Sequence, residues 1–221
     1  IRRAPARDEH CRQVVAGTFH SIALAQLRRR CEDHDRPMPK LLDRKARLLV
    51  PMLPGKGGER GLLAAEVAAE IEWAKARLIG ADGYQVAASI REAEAARRDP
   101  PRPPAEIAVL FERYERERRR RGLVDFDDLI TWCAHALETD AEFQAAQRWR
   151  FQHVFVDEFQ DANPAQFRLV RAWLGDRPDL CVVGDGDQAI YGFAGADASY
   201  LTAFGDHFRD AVDVADGGDA A

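Results

Sequence analysis

The sequence of 221 residues predicts an α/β fold built around a parallel sheet. The first observation is a short apolar run at residues 154–156 that stops at two acids, and the second is a similar run at residues 180–183. The third is a helical pattern between the two runs. Short apolar runs without alternation are typical of strands covered on both faces, so we expect two buried strands joined by a right-handed helical crossover.

The helix between these strands has signals at both ends. Asn163 suits the N-cap, Pro164 suits the first helical position, and Gly175 can take the left-handed position after the last turn. Apolar residues recur at helical spacing in between, namely Phe167, Val170, Trp173 and Leu174. The segment therefore predicts one complete strand–helix–strand unit.

Polar residues follow both predicted strands. Asp157 and Glu158 come after the first, and Asp185, Asp187 and Gln188 come after the second. Ligands of parallel sheets lie at the carboxyl ends of the strands, so both groups should face one crevice. Paired carboxylates suit a hard divalent cation such as Mg²⁺. The alternative is that these acids only end strands and cap the next helix.

Earlier in the chain, residues 14–16 predict a short strand that leads into a helix burying Ile22, Ala23, Leu27 and Cys31. The Gly-Lys pair at Lys56 does not fit a phosphate-binding loop, because Val50 replaces the required glycine and no Ser or Thr follows the lysine. We interpret residues 55–58 as a flexible connection.

A helical block follows this connection. One apolar stripe ends at Gly80, a further helix is predicted over 84–97, and a third begins near Ile107 and ends in the arginines 118–121. The first stripe comprises Leu63, Val67, Ile71, Ala74 and Leu78. From the residues alone, we expect the arginines to form a solvated helix end that complements the helix dipole.

Asp125 predicts the N-cap of the next helix, with Asp127 and Asp128 in its first turn. We expect the apolar side of this helix to pack inward, with Leu129, Trp132, Cys133, Ala136 and Leu137.

Four segments resemble motifs of the UvrD/Rep/PcrA helicases of superfamily 1. Residues 154–166, VFVDEFQDANPAQ, resemble motif II, and residues 183–197, VGDGDQAIYGFAGAD, resemble motif III. Residues 17–21, GTFHS, match motif Ia, and residues 124–130, VDFDDLI, match the segment before motif II. The resemblance implies a partial RecA-like P-loop NTPase domain with an all-helical insertion of the 1B type. It also leaves a second interpretation open for the arginines 118–121 of that insertion, a contact with a duplex DNA backbone.

The resemblance also implies domain boundaries. Residues 1–35 and 123–208 would belong to the RecA-like domain 1A, and residues 36–122 would form the 1B-type subdomain. Residues 209–221 are rich in aspartate and predict a disordered acidic tail.

By the same resemblance the chain is a fragment of an ATP-dependent helicase that moves 3′ to 5′ along single-stranded DNA and acts at junctions of single and double strands. Asp157 would hold Mg²⁺, Glu158 would orient and deprotonate the attacking water, and Gln188 would sense the γ-phosphate of ATP. These three residues are the predicted catalytic and cofactor-binding set.

The implied DNA contacts are a phosphate contact from Thr18 and base stacking by Phe19, Tyr191 and Phe193. A hydroxyl at a helix N-terminus and exposed aromatic rings suit these tasks. Phe19 by itself would more often be a core residue. Ala194 departs from the arginine that the family commonly has there, which puts one contact between the nucleotide site and DNA in doubt.

Composition sets further bounds. The four cysteines are far apart, without a zinc-type spacing, and no apolar run reaches the length of a membrane span. We also expect no leader peptide, because no charged segment followed by an apolar run opens the sequence. We therefore expect a cytoplasmic protein with no membrane partner. The net charge of −5 does not indicate nucleic-acid binding, although a local basic groove is compatible with it.

The printed residues contain no Walker A loop and no second RecA-like domain with arginine fingers, so we expect the fragment alone to be inactive. Two alternatives stay open. One is a metal-dependent nuclease using Asp157, Glu158, Asp185 and Asp187 around two ions. The other is a truncated or decayed helicase product that keeps the fold without the activity.

Overall fold

A computed structural model describes residues 14–93, 100–208 and 211–212 of the chain. The first half contains α1 (Phe19–Asp33), β1 (Lys40–Leu41), α2 (Ala46–Leu49), α3 (Gly57–Ala76), α4 (Ala81–Ala93) and α5 (Pro104–Arg120). The second half contains β2 (Leu123–Val124), α6 (Phe126–Thr139), α7 (Ala141–Arg150), β3 (Val154–Val156), α8 (Pro164–Leu174), β4 (Leu180–Val182), α9 (Ser199–Thr202) and α10 (Phe204–His207). Among the described helices, none is long and apolar enough to cross a bilayer.

The predicted strand–helix–strand unit is present. β3 and β4 are parallel, with Phe155 opposite Cys181, and α8 connects them. Asn163 caps α8 through a reciprocal capping box with Gln166, and Gly175 follows its last turn at φ 62°. The unit is thus built from local signals that the sequence displays.

The expectation that both faces of this sheet are buried is wrong for the described residues. Val156 is buried and packs with Val170 of α8, but Phe155 is 78% exposed and its register partner Cys181 is also exposed. Neighbouring strand residues point to opposite faces. Because α8 covers one face, only the residues of that face enter the core.

The start of the described chain also differs from the prediction. Residues 14–16 form no strand, and Val14 is 79% exposed. The following helix, α1, does form, with Thr18 as its N-cap. It buries Ala23 and Leu27 as predicted. Its Ile22 and Cys31 are only half-buried, because α6 and its neighbours cover a narrower side of α1 than the prediction assumed.

Within the helical block, α3 departs from its prediction at both ends. It begins at Gly57, so residues 57–58 are helical and do not belong to a flexible connection. It ends at Ala76, and Leu78 lies beyond it with φ 60° and a 43% exposed side chain. The stripe residues Val67, Ile71 and Ala74 are buried as expected.

Two further predictions are only partly matched. Helix α4 begins at Ala81, three residues before the expected start, and its predicted end at 97 lies outside the described residues. Trp132 of α6 is 39% exposed, whereas Leu129, Cys133, Ala136 and Leu137 are buried. The predicted acidic tail also lies outside the described residues, apart from 211–212.

The described residues form separate hydrophobic clusters, and one of them lies within the helical block. One comprises side chains of α2 to α5, among them Leu49, Ile71 and Phe111, and the next comprises side chains of α1, α6 and α8. The pairing of β1 with β2 holds together the two chain segments that enter and leave the helical block. The block therefore has a hydrophobic core of its own, and a short pair of parallel strands lies where the chain enters and leaves it.

A buried ionic network joins this block to α6. The Nζ atom of Lys75 lies 2.8 Å from Asp125, 2.7 Å from Asp128 and 3.2 Å from Glu115. The hydroxyl of Tyr114 donates to Asp125 over 2.7 Å. Asp125 and Asp128 form the capping box of α6, so the predicted cap is present. The same two carboxylates also bind Lys75 of α3, and Asp125 accepts the hydrogen bond from Tyr114 of α5.

Arg118 and Lys45 complete the network. Arg118 pairs with both Glu115 and Asp128, and it donates to the carbonyl of Leu123. Its burial contradicts the expectation of a solvated or DNA-facing arginine at this position. The Nζ atom of Lys45 lies 2.6 Å from Asp127.

The neighbouring arginines 119–121 do remain at the surface. They pair with Glu115 and Glu117 on their own helix. Exposed pairs of this kind contribute little to stability, so only Arg118 of the run has a structural role of weight.

The network shifts the pKa values of its members in opposite directions. Burial alone would raise the pKa of the Asp125 carboxyl, but Lys75 and Lys45 outweigh burial and hold it below its usual range. Burial would likewise lower the pKa of Lys75, and the surrounding carboxylates raise it instead. The pKa of Asp128 is raised because burial and the charge of Asp125 outweigh Lys75.

We predict that Lys75→Met lowers the free energy of unfolding by about 3–5 kcal/mol, because it leaves buried carboxylates without their shared cation. The matched control is Lys56→Met, which changes an exposed lysine with no side-chain cap bond and should cost less than about 0.5 kcal/mol. Urea titration followed by circular dichroism measures both. A Lys75→Met cost below about 1 kcal/mol would show that the network does not stabilise the fold.

Candidate functional site

The carboxyl ends of β3 and β4 lie side by side. Beyond the strands the backbone ladder continues, since the N–H of Val183 donates to Val156 over 2.8 Å and the N–H of Phe159 donates to Val183 over 2.9 Å. This places residues 157–158 beside residues 184–185. The two acidic groups predicted to share a crevice are therefore at one edge of the sheet.

Glu158 has an unusual backbone conformation at this edge. Its φ is 52°, a left-handed value that is uncommon for a residue other than glycine. Its N–H donates to the Asp157 carboxylate over 3.0 Å, and a short 3₁₀ turn, Phe159–Asp161, follows. The side chains of Asp157 and Glu158 are both exposed, so both carboxylates are open to solvent and to a ligand. Such backbone strain is found most often at functional sites.

Gln160 connects the two strand ends from beneath. It is 2% exposed, its Nε2 donates to Glu158 over 2.6 Å, and its Oε1 accepts from the N–H of Asp185 over 3.1 Å. The sequence reasoning gave Gln160 no role. The signal in the sequence that could have indicated a role was the position of this polar residue between Phe159 and Ala162, two apolar residues that are both buried.

Asp185 organises the turn after β4. Its carboxylate accepts from the N–H of Asp187 over 2.9 Å and from Nε2 of Gln188 over 2.8 Å. The hydrogen bond from Gln188, followed by that from Asp187, lowers the pKa of Asp185 below its usual range. Gln188 is exposed, and hydrogen bonds through Asp185 and Gln160 connect it to Glu158.

The carboxylates at this edge fit a Mg²⁺ ion. The Asp157 and Glu158 side chains supply exposed oxygen ligands, and Mg²⁺ bound to a nucleotide needs only one or two protein carboxylates. A tighter group of three carboxylates lies elsewhere, at Glu115, Asp125 and Asp128. The ammonium of Lys75 already lies among those three, so that group is a structural ion cluster.

The residues predicted to contact DNA are placed differently from one another. Thr18 is exposed at the start of α1, and its Oγ1 accepts from the N–H of Ser21 over 3.2 Å. Phe19 is half-buried, with its ring parallel to that of Trp173 at 6.0 Å between centroids. Tyr191 is 47% exposed.

The turn Tyr191–Ala194 contains the other two positions of interest in motif III. The side chain of Phe193 lies outside the described residues, and Ala194 is exposed. The departure from arginine at Ala194 thus lies at an exposed position.

The segment after Ala194 links the site to the helical block. Gly195 has φ 98°, and a Cβ added to it would lie 3.0 Å from the Cβ of Ala76 in α3. The N–H of Asp197 donates to the carbonyl of Ala162, which belongs to motif II. The end of motif III is therefore held between α3 and motif II.

Comparison with known proteins matches residues 2–209 to the family model described as the UvrD/REP helicase N-terminal domain. The chain is 46% identical over 152 residues to the ATP-dependent DNA helicase UvrD2 of Mycobacterium tuberculosis, which covers 67% of this chain and 21% of the relative. It is 37% identical over 108 residues to the ATP-dependent DNA helicase PcrA of Staphylococcus epidermidis, which covers 49% of this chain and 15% of that relative. The chain thus spans about a fifth of the length of UvrD2 and less of PcrA.

These matches confirm the resemblance inferred from motifs Ia, II and III. The family match spans nearly the whole chain, and the structure places motifs II and III at adjacent strand ends of a helix-rich α/β fold with small parallel sheets. The chain therefore belongs to the UvrD/REP helicase N-terminal domain family.

Proposed function

We propose that the chain is the part of an ATP-dependent DNA helicase that couples ATP hydrolysis to 3′ to 5′ movement along single-stranded DNA. The observation that supports this most is the meeting of Glu158 and Gln188 at one edge, linked through Gln160 and Asp185. A hydrolytic base and a phosphate sensor must both reach the γ-phosphate, which such an edge permits.

In this proposal Asp157 holds the Mg²⁺ that accompanies ATP. The ion, when bound, would neutralise charge that develops on the phosphate oxygens. Asp157 suits the task because its carboxylate is exposed at the end of β3 and its backbone is fixed by the ladder to β4.

Glu158 orients the attacking water and accepts its proton. Its left-handed backbone directs the side chain away from the strand direction, and the carboxylate is exposed to solvent at the same edge. A general base must lie within hydrogen-bond reach of the water that it activates, and a fixed backbone makes that reach reproducible.

Gln188 reports the state of the nucleotide to the DNA contacts. Its amide is bonded to Asp185, and a γ-phosphate oxygen would compete for the same Nε2 donor. The short turn that contains Tyr191 begins three residues later, so a displacement of Gln188 would move the ring. Tyr191 and Phe193 would stack on bases, and Thr18 would contact a phosphate.

Phe19 is proposed to combine two roles. The ring packs against Trp173, and its exposed part would meet a base. The partners of the whole assembly would be single-stranded DNA and junctions of single and double strands.

The same proposal assigns residues 1–35 and 123–208 to a RecA-like domain and residues 36–122 to a 1B-type subdomain. The separate hydrophobic cluster of α2 to α5 and the pairing of β1 with β2 at its base support that division. The nuclease alternative has less support, because both carboxylate oxygens of Asp185 already accept hydrogen bonds from their own turn.

We predict that the 221 residues alone neither hydrolyse ATP nor unwind DNA. The printed sequence has no Walker A pattern, and loss of an arginine finger costs roughly a thousandfold or more in rate. Phosphate release with and without single-stranded DNA measures this. DNA-stimulated hydrolysis by the purified chain would contradict it.

We predict that Glu158→Gln lowers ATP hydrolysis by roughly 10²–10⁴-fold while ATP binding is kept, because the base is lost and the shape is retained. The test uses a full-length chimaera in which this chain replaces the aligned segment of the M. tuberculosis UvrD2. Glu142→Gln, at an exposed position of α7, is the matched control and should hydrolyse at the parent rate. A Glu158→Gln rate within twofold of the parent would remove Glu158 from the mechanism.

We predict that Tyr191→Ala weakens the binding of single-stranded DNA by about 1–3 kcal/mol, the usual contribution of one stacked base. Fluorescence anisotropy with a labelled oligonucleotide measures the change in the same chimaera. Trp149→Ala removes a more exposed aromatic ring from α7 and serves as the control. Equal losses in the two variants would mean that Tyr191 has no specific contact with DNA.

A further inference from the structure

We propose that Gln160 is a positioning residue that holds the Glu158 carboxylate and couples it to the backbone of motif III. The inference rests on the proposed function, because it takes Glu158 as the hydrolytic base. It adds Gln160, a buried residue beneath the site that would not contact ATP itself.

The hydrogen bonds of Gln160 require an amide. A backbone N–H can only donate and a carboxylate can only accept. The side chain at position 160 must therefore offer an oxygen to the N–H and an N–H to the carboxylate. The Oε1 atom accepts from the N–H of Asp185, and the Nε2 atom donates to Glu158. A carboxylate, an apolar side chain or a lysine at this position cannot bond to both the Asp185 N–H and the Glu158 carboxylate.

Burial makes these bonds significant. Gln160 is 2% exposed, so its amide would be costly without partners. Glu158 is exposed and its side chain would otherwise sample several rotamers. Within the described part of the chain, the hydrogen bond from Gln160 is the restraint on the Glu158 carboxylate.

Gly184 leaves the space that this arrangement needs. A Cβ at that position would lie 2.4 Å from Oε1 of Gln160, 3.0 Å from Leu201 and 3.1 Å from the backbone nitrogen of Phe159. The Gln160 oxygen could move aside only by giving up its bond to Asp185. Glycine at position 184 is therefore needed for the Gln160 bridge, meaning the two hydrogen bonds that join Glu158 to Asp185 through the Gln160 side chain.

The Gln160 bridge connects motif III to Glu158, the proposed base. Asp185 accepts from Gln188 through its side chain and donates to Gln160 through its backbone. A shift of Gln188 that moves Asp185 thus moves the amide that holds Glu158. The phosphate sensor Gln188 and the base Glu158 are thus connected by three hydrogen bonds.

Two substitutions separate the bonds. Gln160→Glu keeps the acceptor for Asp185 and removes the donor to Glu158, whereas Gln160→Met removes both at similar volume. In the chimaera both variants should lower kcat by roughly 10- to 100-fold and change KM for ATP by no more than about twofold. Gln166→Glu is the control, since its backbone partner Asn163 needs only an acceptor, and it should keep the parent kcat.

A double-substitution cycle distinguishes positioning from general destabilisation. If Gln160 acts through Glu158, adding Gln160→Met to Glu158→Gln should cause no further loss of kcat. In the 221-residue chain, amide exchange of Asp185 should be faster in Gln160→Met and unchanged in Gln160→Glu. Gly184→Ala perturbs the bridge from the other side and should lower kcat in the same way.

Two outcomes would overturn the inference: a Gln160→Met variant with kcat within twofold of the parent, or losses that multiply in the double variant. Thermal melting shows which variants are folded, and Gly184→Ala replaces Gln160→Glu if that variant is not. A normal rate in Glu158→Gln would instead refute the proposed function. The failures of the two proposals are thus distinguishable.

Discussion

The parallel pairing of β3 with β4 is the constraint on which the site depends. It sets Val154, Phe155 and Val156 opposite Leu180, Cys181 and Val182, and the ladder continues past both strands to Phe159. A parallel pair must end its strands at the same edge, so the chemistry of two distant sequence segments is brought together by backbone hydrogen bonds alone. The side chains then add the finer links, through Gln160 and Asp185.

The buried ionic network fixes the helical block to α6, which in turn packs against α8 between the two strands. Lys75 projects from the last turns of α3 into the carboxylates that begin α6, and Ala76, the next residue of α3, lies against Gly195 at the end of motif III. Hydrophobic packing would tolerate small rotations of the helical block, but charge pairs at 2.7–2.8 Å do not. The network thereby makes the block a firm support for the motif.

Local features of the fold and the parallel pairing of β3 with β4 could be predicted from the sequence, whereas the burial of individual side chains by distant parts of the chain could not. The caps at Asn163 and Asp125 follow from side chains that bond within their own turn. The exposure of Phe155 depends on which elements cover the sheet, which periodicity does not show. Burial of Arg118 was missed because it depends on Asp128, ten residues away along the chain, and Gln160 was missed because its partner Asp185 belongs to another strand end.

The most direct test of the central claim is paramagnetic broadening of the amide signals of the 221-residue chain by Mn²⁺-ATP at millimolar concentration. If the ends of β3 and β4 form one cation and nucleotide site, the signals of residues 157–158 and 184–188 will broaden together and most strongly. Broadening at one strand end alone, or broadening centred on Glu115, Asp125 and Asp128, would contradict the account.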